Sequence, residues 1–149
     1  MMNYNLNTSL GHWTAQVFYL LRSTLNQRFQ DAGYDVTREQ WKVLVYIQRE
    51  PGIAQRDLEV RVHKNQPALT KILGRLEAKG LISRTMDTTD RRIRYIALTP
   101  HGEVMTDRLS ELARLNLKQA LCGISQSELD QCLDALKKVY ANLARQRST

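Results

Sequence analysis

The sequence has few of the residues that usually announce chemistry. Its two cysteines, Cys122 and Cys132, form no C-x-x-C pair, so neither a zinc site nor a disulfide framework is indicated. Its three histidines, His12, His63 and His101, are scattered and do not make the H-E-x-x-H spacing of a helical metal site. A G-x-S-x-G elbow and a glycine-rich phosphate loop are also missing. No catalytic residue, metal ligand or cofactor motif can be assigned, and the expectation is a protein that is not an enzyme. No run approaches the roughly 18 apolar residues of a membrane span, and the first residues, MMNYNLNTSLGHW, lack a basic segment followed by an apolar core. The expected location is the cytoplasm, with no membrane partner.

What is present suits one globular domain over residues 1–149, with 42% hydrophobic and 25% charged residues, enough to bury a core without cross-links. The net charge of +7 and a pI near 9.7 favour a polyanionic partner, although the same excess would also serve solubility. Its distribution is more telling. Between Gly52 and Leu98, ten basic side chains stand against five acidic ones, which places +5 of the +7 there.

Apolar residues recur every three to four positions from Leu10 through Trp13, Val17, Leu21, Leu25 and Phe29, predicting a helix of about 20 residues that Gly33 stops. Thr37 and Gln40 form a capping box that opens a second helix through Trp41, Leu44 and Ile47, and Pro51-Gly52 ends it. A short third helix is expected over Gln55 to Val62, with Ala54 a poor cap. The fourth starts at Asn65 or Gln66, because asparagine caps well and Pro67 is tolerated only in the first turn. It ends at Lys79-Gly80. The period then changes, and Leu81 to Met86 with Arg92 to Leu98 read as two strands around the polar tip at residues 87–91. Thr99-Pro100 opens a fifth helix carrying Val104, Leu109, Leu112, Leu115 and Leu121. A second capping box, Ser125 with Glu128, opens a sixth with Leu129, Leu133, Leu136, Val139, Tyr140 and Leu143.

Short helices followed by a basic hairpin are the parts of a winged helix-turn-helix, in which the last short helix enters the DNA major groove. The fourth helix keeps Leu69, Ile72, Leu73 and Leu76 inward and leaves Asn65, Gln66, Pro67, Ala68, Thr70, Lys71 and Arg75 as candidate DNA contacts. Glutamine can bond an adenine edge twice, lysine reaches guanine acceptors, threonine bonds either way, and alanine or proline touches a thymine methyl. Taken alone, this set reads better as an ordinary solvated helix face. The hairpin is more informative, because Asp90, Arg91, Arg92 and Arg94 place three arginines on a projecting tip where packing does not need them. Arginine suits a narrow, negative minor groove, whereas a charged turn that merely protects a strand edge is the plainer alternative. Asp90 is expected to pair with a neighbouring arginine and fix its direction.

From Thr37 to Gly102 the chain resembles the MarR (multiple antibiotic resistance regulator) family. The resemblance rests on Arg75-Leu76-Glu77-Ala78-Lys79-Gly80-Leu81-Ile82-Ser83-Arg84, on Asp90-Arg91-Arg92, and on Leu98-Thr99-Pro100-His101-Gly102. Asn65-Gln66-Pro67-Ala68-Leu69 looks most like its SlyA-type branch. The resemblance implies a mainly α fold with a small β-hairpin wing, a winged helix-turn-helix at residues 37–98 flanked by dimerisation helices at 9–33 and 99–147. It implies a homodimer that sets two recognition helices into successive major grooves of a pseudo-palindromic operator on double-stranded DNA, most often as a repressor. The family's wing arginine maps onto Arg92, with Asp90 as its buttress. Members often release DNA when a small aromatic acid or other lipophilic effector enters a cleft beside the dimer helices. His12, Trp13 and Tyr19 are candidates to line it, but Trp13 reads better as core, and no effector residue is assigned. Cys132 reads as buried filler and Cys122 as more exposed, so an oxidant-sensing thiol is the lesser alternative.

Overall fold

The computed structural model describes residues 5–147. After a single turn at Leu6–Thr8 come α1 (Leu10–Asp31), α2 (Arg38–Arg49), β1 (Ile53–Ala54), α3 (Gln55–Val62), α4 (Gln66–Ala78), β2 (Ile82–Met86), β3 (Arg94–Leu98), α5 (Pro100–Ala120) and α6 (Gln126–Gln146). The chain forms two compact units, one up to Leu117 and one from Lys118 onward.

In the first unit, local chemistry sets most of the boundaries. Ser9 caps α1 through the backbone N–H of His12. Thr37 and Gln40 complete the reciprocal box at the start of α2, and α3 begins without a side-chain cap, as Ala54 requires. At the end of α4 the N–H of Gly80 bonds Glu77 and that of Leu81 bonds Leu76. This is the paired closure that a left-handed residue makes possible, and Gly80 supplies it with φ of 67°.

The core collects Leu25 and Phe29 of α1, Val43, Leu44 and Ile47 of α2, Leu58 and Val62 of α3, Leu69, Leu73 and Leu76 of α4, and Leu109 of α5. Ile53, Ile82 and Ile96 bring in the sheet. Phe29 and Trp41 meet edge to face at 6.1 Å between ring centres, and the Trp41 indole N–H donates to Ser110 Oγ at 3.0 Å. The polar end of a large ring is thereby satisfied while its body is packed.

The expected two-strand hairpin is one part of a three-stranded antiparallel sheet in the order β1-β3-β2. β1 is only two residues long and pairs Ile53 with Ile96 and Ala54 with Tyr95. Both hairpin strands are also shorter than anticipated. Leu81 is taken by the closure of α4, and Arg92 lies in the turn, where the Asp90 carboxylate accepts its backbone N–H.

α5 starts with Thr99, whose hydroxyl donates to Gly80 O at 2.6 Å and accepts from the N–H of Gly102 at 3.0 Å. Gly102 is required by contact rather than by conformation: a Cβ there would lie 1.9 Å from Leu81 O.

The apolar stripes at the chain ends are largely uncovered in the single chain. Trp13, assigned to the core, is 52% exposed and bonds Asn7 O through its indole N–H. Leu10, Val17 and Leu20 are exposed as well, and burial in α1 is confined to Leu25 and Phe29. Val104 and Leu115 of α5 are exposed, and Leu121 lies beyond the end of that helix.

In the second unit, Ser125 and Glu128 make the expected capping box. None of the described residues of α6 is buried; Leu133, Leu136, Tyr140 and Leu143 all face solvent in the single chain. Cys132 is exposed too, which corrects its reading as buried filler, and Cys122 is exposed as anticipated. Periodicity correctly marked one apolar face on each helix. It carried no information on what covers that face.

Candidate nucleic-acid interface

The Asn65 side chain accepts from the N–H of Ala68 at 3.0 Å and so is committed to capping α4. Pro67 occupies the first turn, where its missing N–H costs nothing. Because Leu69, Leu73 and Leu76 are fully buried, the helix is held from one side. Gln66, Pro67, Ala68, Thr70, Lys71 and Arg75 are exposed on the other.

The structure sorts these candidates. Gln66 and Thr70 line an open groove of about 1190 Å³ whose opposite wall is the wing segment from Asp90 to Tyr95. All four wing candidates, Asp90, Arg91, Arg92 and Arg94, line it, whereas Asn65, Pro67, Ala68, Lys71 and Arg75 do not. The groove floor adds residues that the sequence did not single out, chiefly Gln55 and Arg56 at the start of α3 and Arg84 on β2. Gln55 Nε2 reaches Thr70 Oγ1 at 3.3 Å. No periodicity distinguishes Gln55 or Arg56 from any other polar residue in a helix's first turn, so only the packing of α3 beside α4 reveals them.

The arginines are not equivalent. Arg84 is held by Glu77, with Nε 3.0 Å from Oε2. The hydrogen bond from Arg84 pulls the Glu77 carboxyl below its ordinary range, and that same bond raises Arg84. Its charge is largely answered within the protein. Arg91 and Arg92 in the turn and Arg94 at the start of β3 are exposed. Arg92 bonds Asp90 Oδ1 through Nε at 3.2 Å and through its backbone N–H at 3.0 Å. The pairing expected of Asp90 is therefore formed, and it directs the guanidinium without burying it: the Arg92 side chain is 92% exposed.

A second carboxylate organises the turn itself. Asp87 Oδ1 accepts from Thr89 N at 2.8 Å, Thr89 Oγ1 at 2.6 Å and Asp90 N at 2.9 Å. Its other oxygen accepts from the Tyr95 hydroxyl at 3.1 Å. The Thr89 hydroxyl and the two backbone N–H groups hold the Asp87 carboxyl well below the usual range, and Asp87 raises the Tyr95 phenol. Sequence reading had counted Asp87 only as part of a polar tip, although aspartate followed two residues later by threonine is a common self-bonding turn.

Three helices, a small antiparallel sheet and a basic hairpin that faces the last of those helices across a groove define a winged helix-turn-helix protein. The chain belongs to the MarR family, whose family model matches residues 34–93. The transcriptional regulator PA3341 is 30% identical over 92% of this chain and 99% of its own, with a TM-score of 0.79. The PcaV transcriptional regulator of Streptomyces coelicolor, solved in complex with its natural ligand, is 26% identical over 95% of this chain and 98% of its own, with a TM-score of 0.78. MepR of S. aureus, solved as a DNA complex, shares the fold at 22% identity and a TM-score of 0.82 over 90% of this chain and 98% of its own. PA3341 and PcaV are regulators of transcription. Among the described residues no helix is long and apolar enough to cross a membrane.

Proposed function

We propose that this protein is a cytoplasmic, effector-responsive repressor that binds a pseudo-palindromic operator on double-stranded DNA as a homodimer. The observation that carries the reading is the groove that sets Gln66 and Thr70 of α4 opposite three exposed wing arginines. On this reading α4 enters the major groove, where Gln66 and Thr70 meet base edges, while Arg92 enters the adjacent minor groove. Arg56, Lys71 and Arg75 supply positive charge to the flanking phosphates. A protein of the same fold has been solved on DNA, which supports the docking mode.

The uncovered apolar residues favour a dimer. Leu10, Trp13, Val17 and Leu20 on α1, and Leu133, Leu136, Tyr140 and Leu143 on α6, form apolar stripes that a single chain leaves in water, and exposed apolar surface of that extent ordinarily marks an interface. Two copies related by a twofold axis would place their α4 helices about one DNA turn apart, roughly 34 to 36 Å. Response to a small aromatic compound is supported by BpsR of Bordetella bronchiseptica, a protein of the same fold whose DNA binding is regulated by 6-hydroxynicotinic acid. Selection of bound duplexes from a random pool tests the core of the reading: a palindromic consensus is the expected product. Failure to enrich any duplex at low salt, where phosphate contacts are strongest, would overturn it.

A further inference from the structure

The wing has no apolar core of its own. Thr88, Thr89, Arg91, Arg92, Ile93 and Arg94 are all exposed, and its backbone closure is limited to the bonds from Asp87 N to Ile93 O and from Ile93 N to Asp90 O. A turn so thinly supported would ordinarily sample many conformations, and an arginine carried on it would have no fixed direction. Two side chains alter this. Tyr95 sits in β3 within the sheet register, opposite Thr85 on one side and Ala54 on the other, so its hydroxyl is anchored by the folded body. It donates to one oxygen of Asp87, whose other oxygen gathers Thr89 and the N–H of Asp90. The Asp90 carboxylate in turn receives Arg92. Each link is a hydrogen bond to a charged acceptor, the stronger class of such bonds.

We infer that Asp87 and Tyr95 are positioning residues that clasp the wing to the sheet and aim Arg92 at DNA, an inference that rests on the DNA-binding reading above. Asp87 lies outside the groove lining, and Tyr95, which lines it, has its hydroxyl committed to Asp87. Their effect on affinity passes through Arg92, and a residue that merely stabilised the fold would act independently of it.

The test is a double-mutant cycle on a selected duplex, together with amide exchange of the free protein. Tyr95→Phe should weaken binding about threefold to tenfold, the loss expected of one hydrogen bond, and Asp87→Ala should weaken it more. In an Arg92→Ala background Tyr95→Phe should change affinity by less than about twofold, because the group being aimed is gone. In the free protein both clasp variants should speed amide exchange at Thr89 and Asp90 and leave the core of α4 unchanged. An equal loss with and without Arg92, or unchanged exchange at Thr89 and Asp90, would overturn the clasp. A parent protein that binds no duplex would overturn the DNA reading and with it the purpose assigned to the clasp. The exchange result would still decide whether Asp87 and Tyr95 hold the wing.

Discussion

The two walls of the groove are built on opposite principles. α4 presents Gln66 and Thr70 from a helix whose other face, Leu69, Leu73 and Leu76, is fully buried, so its outward side chains inherit their placement from apolar packing. The wing presents Arg91 and Arg92 from a turn held by carboxylates, with Asp87 and Asp90 replacing a core, and Arg94 from the start of β3 beside it. The first wall is rigid and indifferent to the polar residues it displays. The second depends on polar residues for its shape. On the proposed function, α4 would read bases from an apolar-packed frame, while minor-groove insertion would depend on the polar contacts that shape the wing.

Substitutions that strike one wall and spare the other sharpen this contrast. The largest effect should come from Leu73→Ala, which opens a cavity beneath α4 and should cost about 2 to 5 kcal/mol of stability, measured by denaturant unfolding. Gln66→Ala should leave stability unchanged and relax preference at one operator position by about 1 to 3 kcal/mol, if glutamine makes a bidentate base contact. Retention of parental selectivity across all positions would remove Gln66 from the reading surface. Arg92→Ala, which removes the guanidinium from both subunits of the dimer, should weaken binding to every duplex by about 2 kcal/mol near physiological salt and lower the salt slope by about two. An unchanged slope would show that Arg92 does not displace counterions.

The smallest effect concerns pH. Because its hydrogen bonds lower the Asp87 carboxyl in the folded chain, its contribution is complete above the unfolded carboxylate value of about 3.9. It is lost only as pH falls through the lower folded value. Amide exchange at Thr89 and Asp90, corrected for its intrinsic pH dependence, should therefore show the same protection at pH 7 and pH 5. Loss of protection near pH 5 would mean that Asp87 is not the anchor.

How much of this was legible in the sequence follows from the range of each interaction. The caps at Thr37, Asn65 and Ser125 and the closure at Gly80 are contacts within a few residues, so residue order alone predicts them. β1 escaped because its two residues carry no period and exist as a strand only by pairing with Ile96 and Tyr95. The Asp87–Tyr95 bond joins residues eight positions apart and depends on the hairpin register. Gln55 and Arg56 reach the groove only through the packing of α3. Trp13 and Cys132 were misplaced for a different reason. A stripe of apolar residues predicts a face that wants covering, and the chain by itself does not supply the cover for Trp13 or Cys132.

The contact at Gly102 has a mechanical meaning. The first turn of α5 presses directly on the backbone of Leu81, and Thr99 ties that turn to the carbonyl of Gly80. With no side chain between them there is no slack, and the base of α5 works as a fulcrum set against the end of α4 and the root of the wing. A tilt of the base of α5 would therefore be felt at the end of α4 and at the start of β2 together.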